Sequence, residues 1–593
     1  MNSQFLHKVR SFLFSPESKP ELLARSFYHR ISETRIHFWI QNLLAKRSYR
    51  RWQANQLDQT LPSLESITCQ PKVSFLLDAS HRSAIELKTT LTSIQLLRGD
   101  NWEVLIIPPD HPSSFILPLH LQNDNRISVV QKLSNLMEEV AGEYVIFCQA
   151  GDRFFDSLLI RFYQSLNDGH NVDVIYFDNE VQGKSSHNQH PFFKPAGLSP
   201  TLLLSLNYLS RGFIRFDALR EVLEVINPQK DLLFQEYDAV LRLCEKGASF
   251  KHLPFLLVSQ THWETSNRKE SQEIITKYLN RKGLKNVVAQ SQNFGARFSW
   301  KSDHPSVSVV ILTKNHHTML KSLMDSMLSY QYVQQVNLII IDNNSDDPST
   351  LAYYKELSKN PEIKIVPYSR SFNYSEAINL GAANSDSDLI LFMNDDMRII
   401  SANWLSELTQ WAILPEVGVV GAKLIRANRT IQHAGIIMGL TGYVGHIYHN
   451  APEKYFGLWG SVDWYRDIMA VTGACQMMRR ELFNQVDGYD ENYRLAFGDI
   501  DFCIRVHELG YRNIYNPHAL LCHYEGQSRG YTTPVEDILH GYEKFEKYLI
   551  NNDPNFSPNL TYTKIPRCNQ EFQSEEDRIH QFEERKKFYL KNK

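Results

Sequence analysis

From residue 73 onward the chain carries short runs of apolar residues, and each run stops at a polar cluster. Val307 to Thr313 ends at Lys314-Asn315, Val336 to Ile341 at Asp342-Asn343-Asn344-Ser345, and Leu389 to Met393 at Asn394-Asp395-Asp396. Runs this short and this continuously apolar predict strands buried on both faces, as in a parallel sheet covered by helices. Between the first two, Leu320, Leu323, Met324 and Leu328 recur at helical spacing and predict an amphipathic helix. Polar residues just past the strands lie where open α/β sheets bind ligands.

The preceding third of the chain repeats the plan. Val73 to Leu77 ends at Asp78, Glu103 to Ile107 at Pro108-Pro109-Asp110, and Tyr144 to Cys148 at Gln149-Ala150-Gly151-Asp152. Three matched strand ends in one order predict a duplicated α/β domain. The chain divides into a basic helical extension (1-70), a first α/β domain (71-298), a second (299-540) and a charged, helical tail (541-593). Within the first 51 residues ten Lys and Arg face three Glu, with Phe, Trp and Leu between them. Such a segment either packs its apolar side on the next domain or lies on an anionic membrane.

Composition narrows the function classes. A length of 593 residues exceeds one core, and a net charge of -3 gives no reason to expect nucleic acid as a partner. The seven cysteines include no CxxC pair, which argues against zinc or a disulfide framework and suits a reducing compartment. No run approaches the ~18 apolar residues of a membrane span, and the first residues lack a leader's apolar stretch. The expectation is a cytoplasmic protein, peripheral on the cytoplasmic face of the inner membrane. Gly439, Gly442 and Gly445 lack dinucleotide-turn spacing, and no Gly-rich loop ends in Gly-Lys-Ser/Thr, which disfavours an oxidoreductase or a kinase.

The chemistry gathers in the second domain. Carboxylates on the Asn394-Asp395-Asp396 turn make a hard-oxygen site for Mg²⁺ or Mn²⁺, although such a turn in isolation is ordinary. Thr313, Asn315 and Asp342 lie past neighbouring strands, where they either cap turns or hold a nucleotide. Asp499 opens a helix around Ile500, Phe502 and Ile504, as a cap or as a general base. Asp501 and Arg505, four apart, read as a structural pair. His523 closes another strand and becomes a credible metal ligand beside two acids. Arg529, in a glycine-flanked segment, could close over a diphosphate or be a solvated loop arginine. Thr472 and Gly473 are small enough for a sugar or another backbone to approach.

With these residues in view, the segment from about 305 to 535 resembles the inverting, GT-A-fold family 2 glycosyltransferases of bacterial polysaccharide synthesis. It is most similar to the branch of rhamnosyl- and related transferases for O-antigen, capsule or cell-wall glycans. The stretches VSVVILTKN, LIIIDNNSDDPSTL, SFNYSEAINLGA, LILFMNDDM, IQHAGIIMG, AVTGACQMMRRELF, FGDIDFCIRVHELGYR and CHYEGQSRG carry the resemblance in this order. It implies Thr313, Asn315, Asp342, Asn394, Asp395 and Arg529 for the nucleotide sugar, Thr472 and Gly473 for the acceptor, and Asp499 as catalytic base. It implies Asp396 and His523 for Mn²⁺ or Mg²⁺. Gly498 departs from the family's Glu/Asn before the base, and Asn394 from the first Asp of its DxD.

Residues 71 to 295 resemble the companion GT-A domain found ahead of such catalytic domains, through YFDNE, FKP, LSP, EYDAVLR and His262-Trp263. Gln149-Ala150-Gly151-Asp152 has lost two acids of the family's DxDD, and Glu236 stands for the base. The resemblance therefore implies a degenerate scaffold or acceptor-binding domain, with a second, metal-independent transferase as the alternative. For the whole chain it implies transfer from a UDP- or dTDP-sugar to a hydroxyl of a growing, lipid-linked polysaccharide. The rival class is a non-catalytic glycan- or nucleotide-binding scaffold.

Overall fold

The computed structural model describes residues 35–57, 61–80, 83–108, 123–130, 136–166, 172–183, 190–223, 227, 231–333, 335–524, 533–570 and 574–591. Arg529 and the first 34 residues lie outside them.

In the first domain the sheet path uses β1 (Val73–Asp78), β2 (Trp102–Ile107), β3 (Ile127–Val129), β4 (Tyr144–Gln149), β5 (Arg153–Phe154), β6 (Val174–Val181), β7 (Phe213–Arg215) and β8 (Phe250–Gln260). In the second it uses β9 (Val307–Thr313), β10 (Val336–Asp342), β11 (Ile363–Pro367), β12 (Leu389–Asn394), β13 (Met397–Ile399), β14 (Val417–Ile425), β15 (Cys475–Arg479) and β16 (Arg512–His523). The spatial orders are β3-β2-β1-β4-β7-β6-β8-β5 and β11-β10-β9-β12-β15-β14-β16-β13, the same path taken twice. In both copies the first four strands are parallel and the sheet turns antiparallel at the fifth. This is the tandem α/β arrangement with flanking helices that the sequence implies.

The strands form where expected because their side chains are buried on both faces. All six residues of β1 and of β4 are buried, as are all nine of β14. The helix expected after β9 is α3 (His317–Leu328), with Leu320, Leu323, Met324 and Met327 buried. Leu328 is not part of that face: it is 57% exposed, because Met327 takes the next inward position and Leu328 lies one residue round the helix.

One continuous core runs through both domains. At their junction Trp464 packs against Phe192 and Trp263, with ring centroids 5.3 and 6.0 Å away. The Asp467 carboxylate accepts from Ser199 Oγ (2.7 Å), Thr201 Oγ1 (2.7 Å) and Arg512 Nη1 (2.7 Å). Ahead of the first domain, α1 (Arg35–Leu57) buries Ala45, Tyr49 and Trp52. Tyr49 Oη donates to Glu180, Trp52 meets Phe193 edge-on at 4.9 Å, and Ser48 Oγ accepts from the amide of Cys568 at 3.0 Å.

The tail contains two helices, Val535–Asn551 and Glu575–Lys591; the first runs across residue 541. The segment between them returns to the first domain, where Asn559 Nδ2 donates to Asp178 Oδ2 and to the carbonyl of Pro254, both at 2.7 Å. Among the described residues no helix is long and apolar enough to cross a membrane.

Candidate active site

The second sheet delivers its polar strand ends to one rim. Asp342, ending β10, accepts from the amide of Ser345 and from Tyr354 Oη, both at 3.1 Å. Asn315, with φ at +53°, accepts from the amides of Asp346 and Asp347 at 2.8 and 2.9 Å. It thus staples the loop after β9 to the loop after β10. Thr313 Oγ1 donates to Asp395 Oδ2 at 2.7 Å, and His316 Nδ1 lies 3.2 Å from the same oxygen. That contact raises the His316 pKa.

Asp395 therefore turns back towards β9, while Asp396 turns towards β16. Asp396 Oδ1 lies 3.1 Å from His523 Nε2, both side chains being buried. Burial pushes the Asp396 carboxyl up, but the His523 imidazole outweighs it and holds it below the usual range. The two groups are in contact without a hydrogen bond: Asp396 Oδ1 and His523 Nδ1 both lack a hydrogen-bond partner. Asn394 Nδ2 lies 3.4 Å from His523 Nε2, at the limit of a hydrogen bond.

Such a donor set fits a divalent cation. A carboxylate oxygen left without a hydrogen bond beside an imidazole nitrogen suits Mn²⁺ or Mg²⁺, which are commonly held by one or two protein groups plus phosphate oxygens and water. Among the described residues no group of three or more His, Cys, Asp or Glu is placed to hold a metal by itself. Asp395 Oδ2 is engaged by Thr313 and His316.

Asp499 lies in the first turn of α5 (Gly498–Glu508; α4 is Tyr374–Ala383), following Phe497 at φ +71°. Its Oδ2 accepts from the amide of Gly473 at 2.7 Å and its Oδ1 from the amide of Ile500 at 2.9 Å. One residue on, the carbonyl of Ala474 accepts from the amide of Asn394 at 3.2 Å. The Thr472-Gly473-Ala474 loop therefore joins Asp499 to the Asn394-Asp395-Asp396 turn. A Cβ on Gly473 would sit 3.2 Å from Asp499 Cβ and 3.4 Å from Tyr374 Oη, so glycine keeps this approach open. Arg505 Nε meets Asp501 Oδ2 at 2.7 Å, the structural pair expected from their spacing.

The first domain shows the same frame filled differently. The amide of Arg211 donates to Glu236 Oε1 at 2.9 Å, as that of Gly473 does to Asp499. Arg211 is fully buried with φ at +65°, and its guanidinium meets Asp152 (Nε–Oδ2 2.8 Å) and Glu264 (Nη1–Oε1 3.1 Å). Gly151 stands where β12 leads to Asp396. A Cβ there would come within 2.5 Å of Thr261 Cγ2, and its φ is +104°. Arg153 pairs with Ser259 as Arg398 pairs with Cys522, which sets Gln260 in the place of His523. Gln260 Oε1 accepts from Asn179 Nδ2 at 3.0 Å.

Sequence reasoning misses His316, whose contact with Asp395 shows only once β9 and β12 pair. It also misses Gln476, which donates to the Asp499 carbonyl at 3.3 Å and accepts from Tyr489. Gln476 sits inside an apolar strand, and that was the available signal.

This geometry can be set beside known proteins. Residues 308–487 match the family model described as glycosyl transferase family 2. The chain is 26% identical over 522 residues to the O-antigen biosynthesis protein RfbC of Myxococcus xanthus, an alignment that covers 83% of this chain and 40% of that one. It is 23% identical over 227 residues to an N-acetylglucosaminyl-diphospho-decaprenol L-rhamnosyltransferase of Mycobacterium tuberculosis, covering 34% of this chain and 71% of the relative. Among solved structures it is similar to the mannosyltransferase PcManGT from Pyrobaculum calidifontis in complex with GDP-Man and Mn²⁺, with a TM-score of 0.31 at 15% identity over 43% of this chain and 67% of that one. The chain spans about two-fifths of the length of the Myxococcus relative. The family match falls within the second domain, over the strands and loops that carry Asp342, Asp396 and Gly473.

Proposed function

We propose that the second domain transfers a sugar from a nucleotide-diphosphate sugar, UDP- or dTDP-linked, to a hydroxyl of a lipid-linked glycan, with inversion at the anomeric carbon. One observation carries this reading: the 472–474 loop ties Asp499 and the Asp396/His523 pair into one frame. Two amides orient the Asp499 carboxylate, which on this reading takes the acceptor's proton. In the displacement the acceptor O–H proton passes to Asp499, the acceptor oxygen bonds to the anomeric carbon, and the bond to the diphosphate oxygen breaks. Asp396 and His523 would hold the divalent cation. Bound there, it would offset charge on the departing diphosphate.

Thr313, Asn315 and Asp342 shape the rim on which the nucleotide would lie, and Thr472 and Gly473 the side from which the acceptor would enter. The names of the O-antigen and rhamnosyl relatives support a cell-envelope polysaccharide as the product. The first domain is a scaffold or acceptor-binding module on this reading, because Gly151, Gln260 and Arg211 replace what the chemistry requires. Asp499→Asn should lower turnover by roughly 10²–10⁴-fold, the usual worth of a general base. Nucleotide affinity should be unchanged, and a variant that turns over at the parent rate would sink the assignment.

A further inference from the structure

The early basic segment permits two readings from sequence, and α1 satisfies the first on one side only. Its inner face packs on both domains and on the tail. Its outer face carries Trp39 at 61% exposure, Ile40 at 43%, and exposed Lys46, Arg47, Arg50 and Arg51. At 100° per residue these six side chains fall within an arc of roughly 140°. The helix holds five cations and no Asp or Glu. Among the described residues, none of the four outer cations makes an ion pair or a side-chain hydrogen bond. The whole chain is slightly acidic, at -3, so this basic face is a local feature.

We propose that the outer face of α1 is a docking surface for an anionic phospholipid bilayer. Trp39 and Ile40 supply the apolar pair that enters the headgroup boundary, and the four cations meet phosphate and carboxylate headgroups. Long Lys and Arg stems suit this position, since they lie along apolar surface while their heads stay wet. A nucleic-acid backbone would use the cations but leave the exposed Trp39–Ile40 pair without a role. At its first turns α1 adjoins the second domain, with Phe38 edge-on to Tyr455 at 5.1 Å and Asn42 Oδ1 accepting from Tyr455 Oη at 3.1 Å. Docking through α1 would thus hold that margin of the second domain close to the lipid surface.

Co-sedimentation of the full chain with vesicles tests this. The chain should bind phosphatidylcholine vesicles containing phosphatidylglycerol, should not bind phosphatidylcholine alone, and should be released by high salt. Arg50→Gln with Arg51→Gln should weaken partitioning about 25-fold, near fivefold per cation. Trp39→Ser should weaken it at unchanged charge. All these positions are exposed, so thermal melting should match the parent. Equal binding to neutral vesicles, unaltered binding of the variants, or binding to duplex DNA without binding to vesicles would overturn the proposal. Donor hydrolysis in vesicle-free buffer should be unchanged in these variants; loss of that activity in the parent chain would count against the transfer reading and leave the docking result standing.

Discussion

In the second domain the amide of Gly473 reaches Asp499, and no side chain extends from its Cα. In the first, the amide of Arg211 reaches Glu236 in the same way, but a guanidinium extends from it and ion-pairs with Asp152 and Glu264. The strand path and the amide-to-carboxylate hydrogen bond are shared, while the donor's backbone and side chain differ: Arg211 lies at φ +65°, and Gly473 is outside that region. One copy carries no side chain at this point and keeps a buried Asp396/His523 pair nearby. The other fills the space with its own permanent cation, which neutralises buried carboxylates that would otherwise be costly. A duplicated domain can thus keep its architecture after its site has closed.

The strongest way to break this comparison is to import the closed arrangement. Gly473→Arg should lower turnover at least 100-fold, because the side chain must fill the approach to Asp499 beside Tyr374, and losses of this size follow small displacements at a reacting centre. Steady-state kinetics on the folded variant checks it. The reverse exchange acts on stability: Arg211→Met leaves Asp152 and Glu264 buried without their cation and should cost ~3–5 kcal/mol. Calorimetry should then show a melting point lower by roughly 6–20 °C, at ~2–4 °C per kcal/mol for a domain of this size.

A smaller effect concerns pH. Burial raises the Glu236 carboxyl to about 8 from an ordinary 4.5. Its folded form therefore binds a proton that the unfolded chain has released. That contribution is fully present below pH 4.5 and is lost as pH rises towards 8. Between pH 5 and 7, below the titration of Lys194 at about 7, Glu236 lowers stability as pH rises, so Glu236→Gln should shift the slope of melting point against pH upward relative to the parent. The smallest effect is expected of Gln260→His. It restores the imidazole of the second site but not a carboxylate at Gly151, so Mn²⁺ affinity measured by calorimetry should change by less than about twofold.

Much of this was legible in the linear chain. Strand ends are visible because an apolar run buried on both faces must stop where the backbone reaches solvent, and Asp342, Asp396 and His523 stand at such stops. The loss of acids in Gln149-Ala150-Gly151-Asp152 is likewise a matter of residue identity. What replaces them is not. Arg211 lies 59 positions from Asp152 and 53 from Glu264, and nothing local distinguishes it from a surface arginine. The different partners of Asp395 and Asp396 depend on which way each side chain turns, and this is set by Thr313, His316 and His523 from other elements. For α1, the sequence shows an amphipathic, basic helix; which arc is buried depends on partners as distant as Cys568.

That last contact also constrains the order of assembly. The amide of Cys568 donates to Ser48 Oγ across 520 residues, and Gln570 Nε2 donates to the Ser48 carbonyl across 522. A helix made 520 residues earlier cannot complete its seat until Cys568 has left the ribosome. Until then α1 and its basic face wait beside two domains that can already have folded. Closing so long a loop costs only slowly more with length, so the delay is one of timing. The strap that binds both domains is fastened after them.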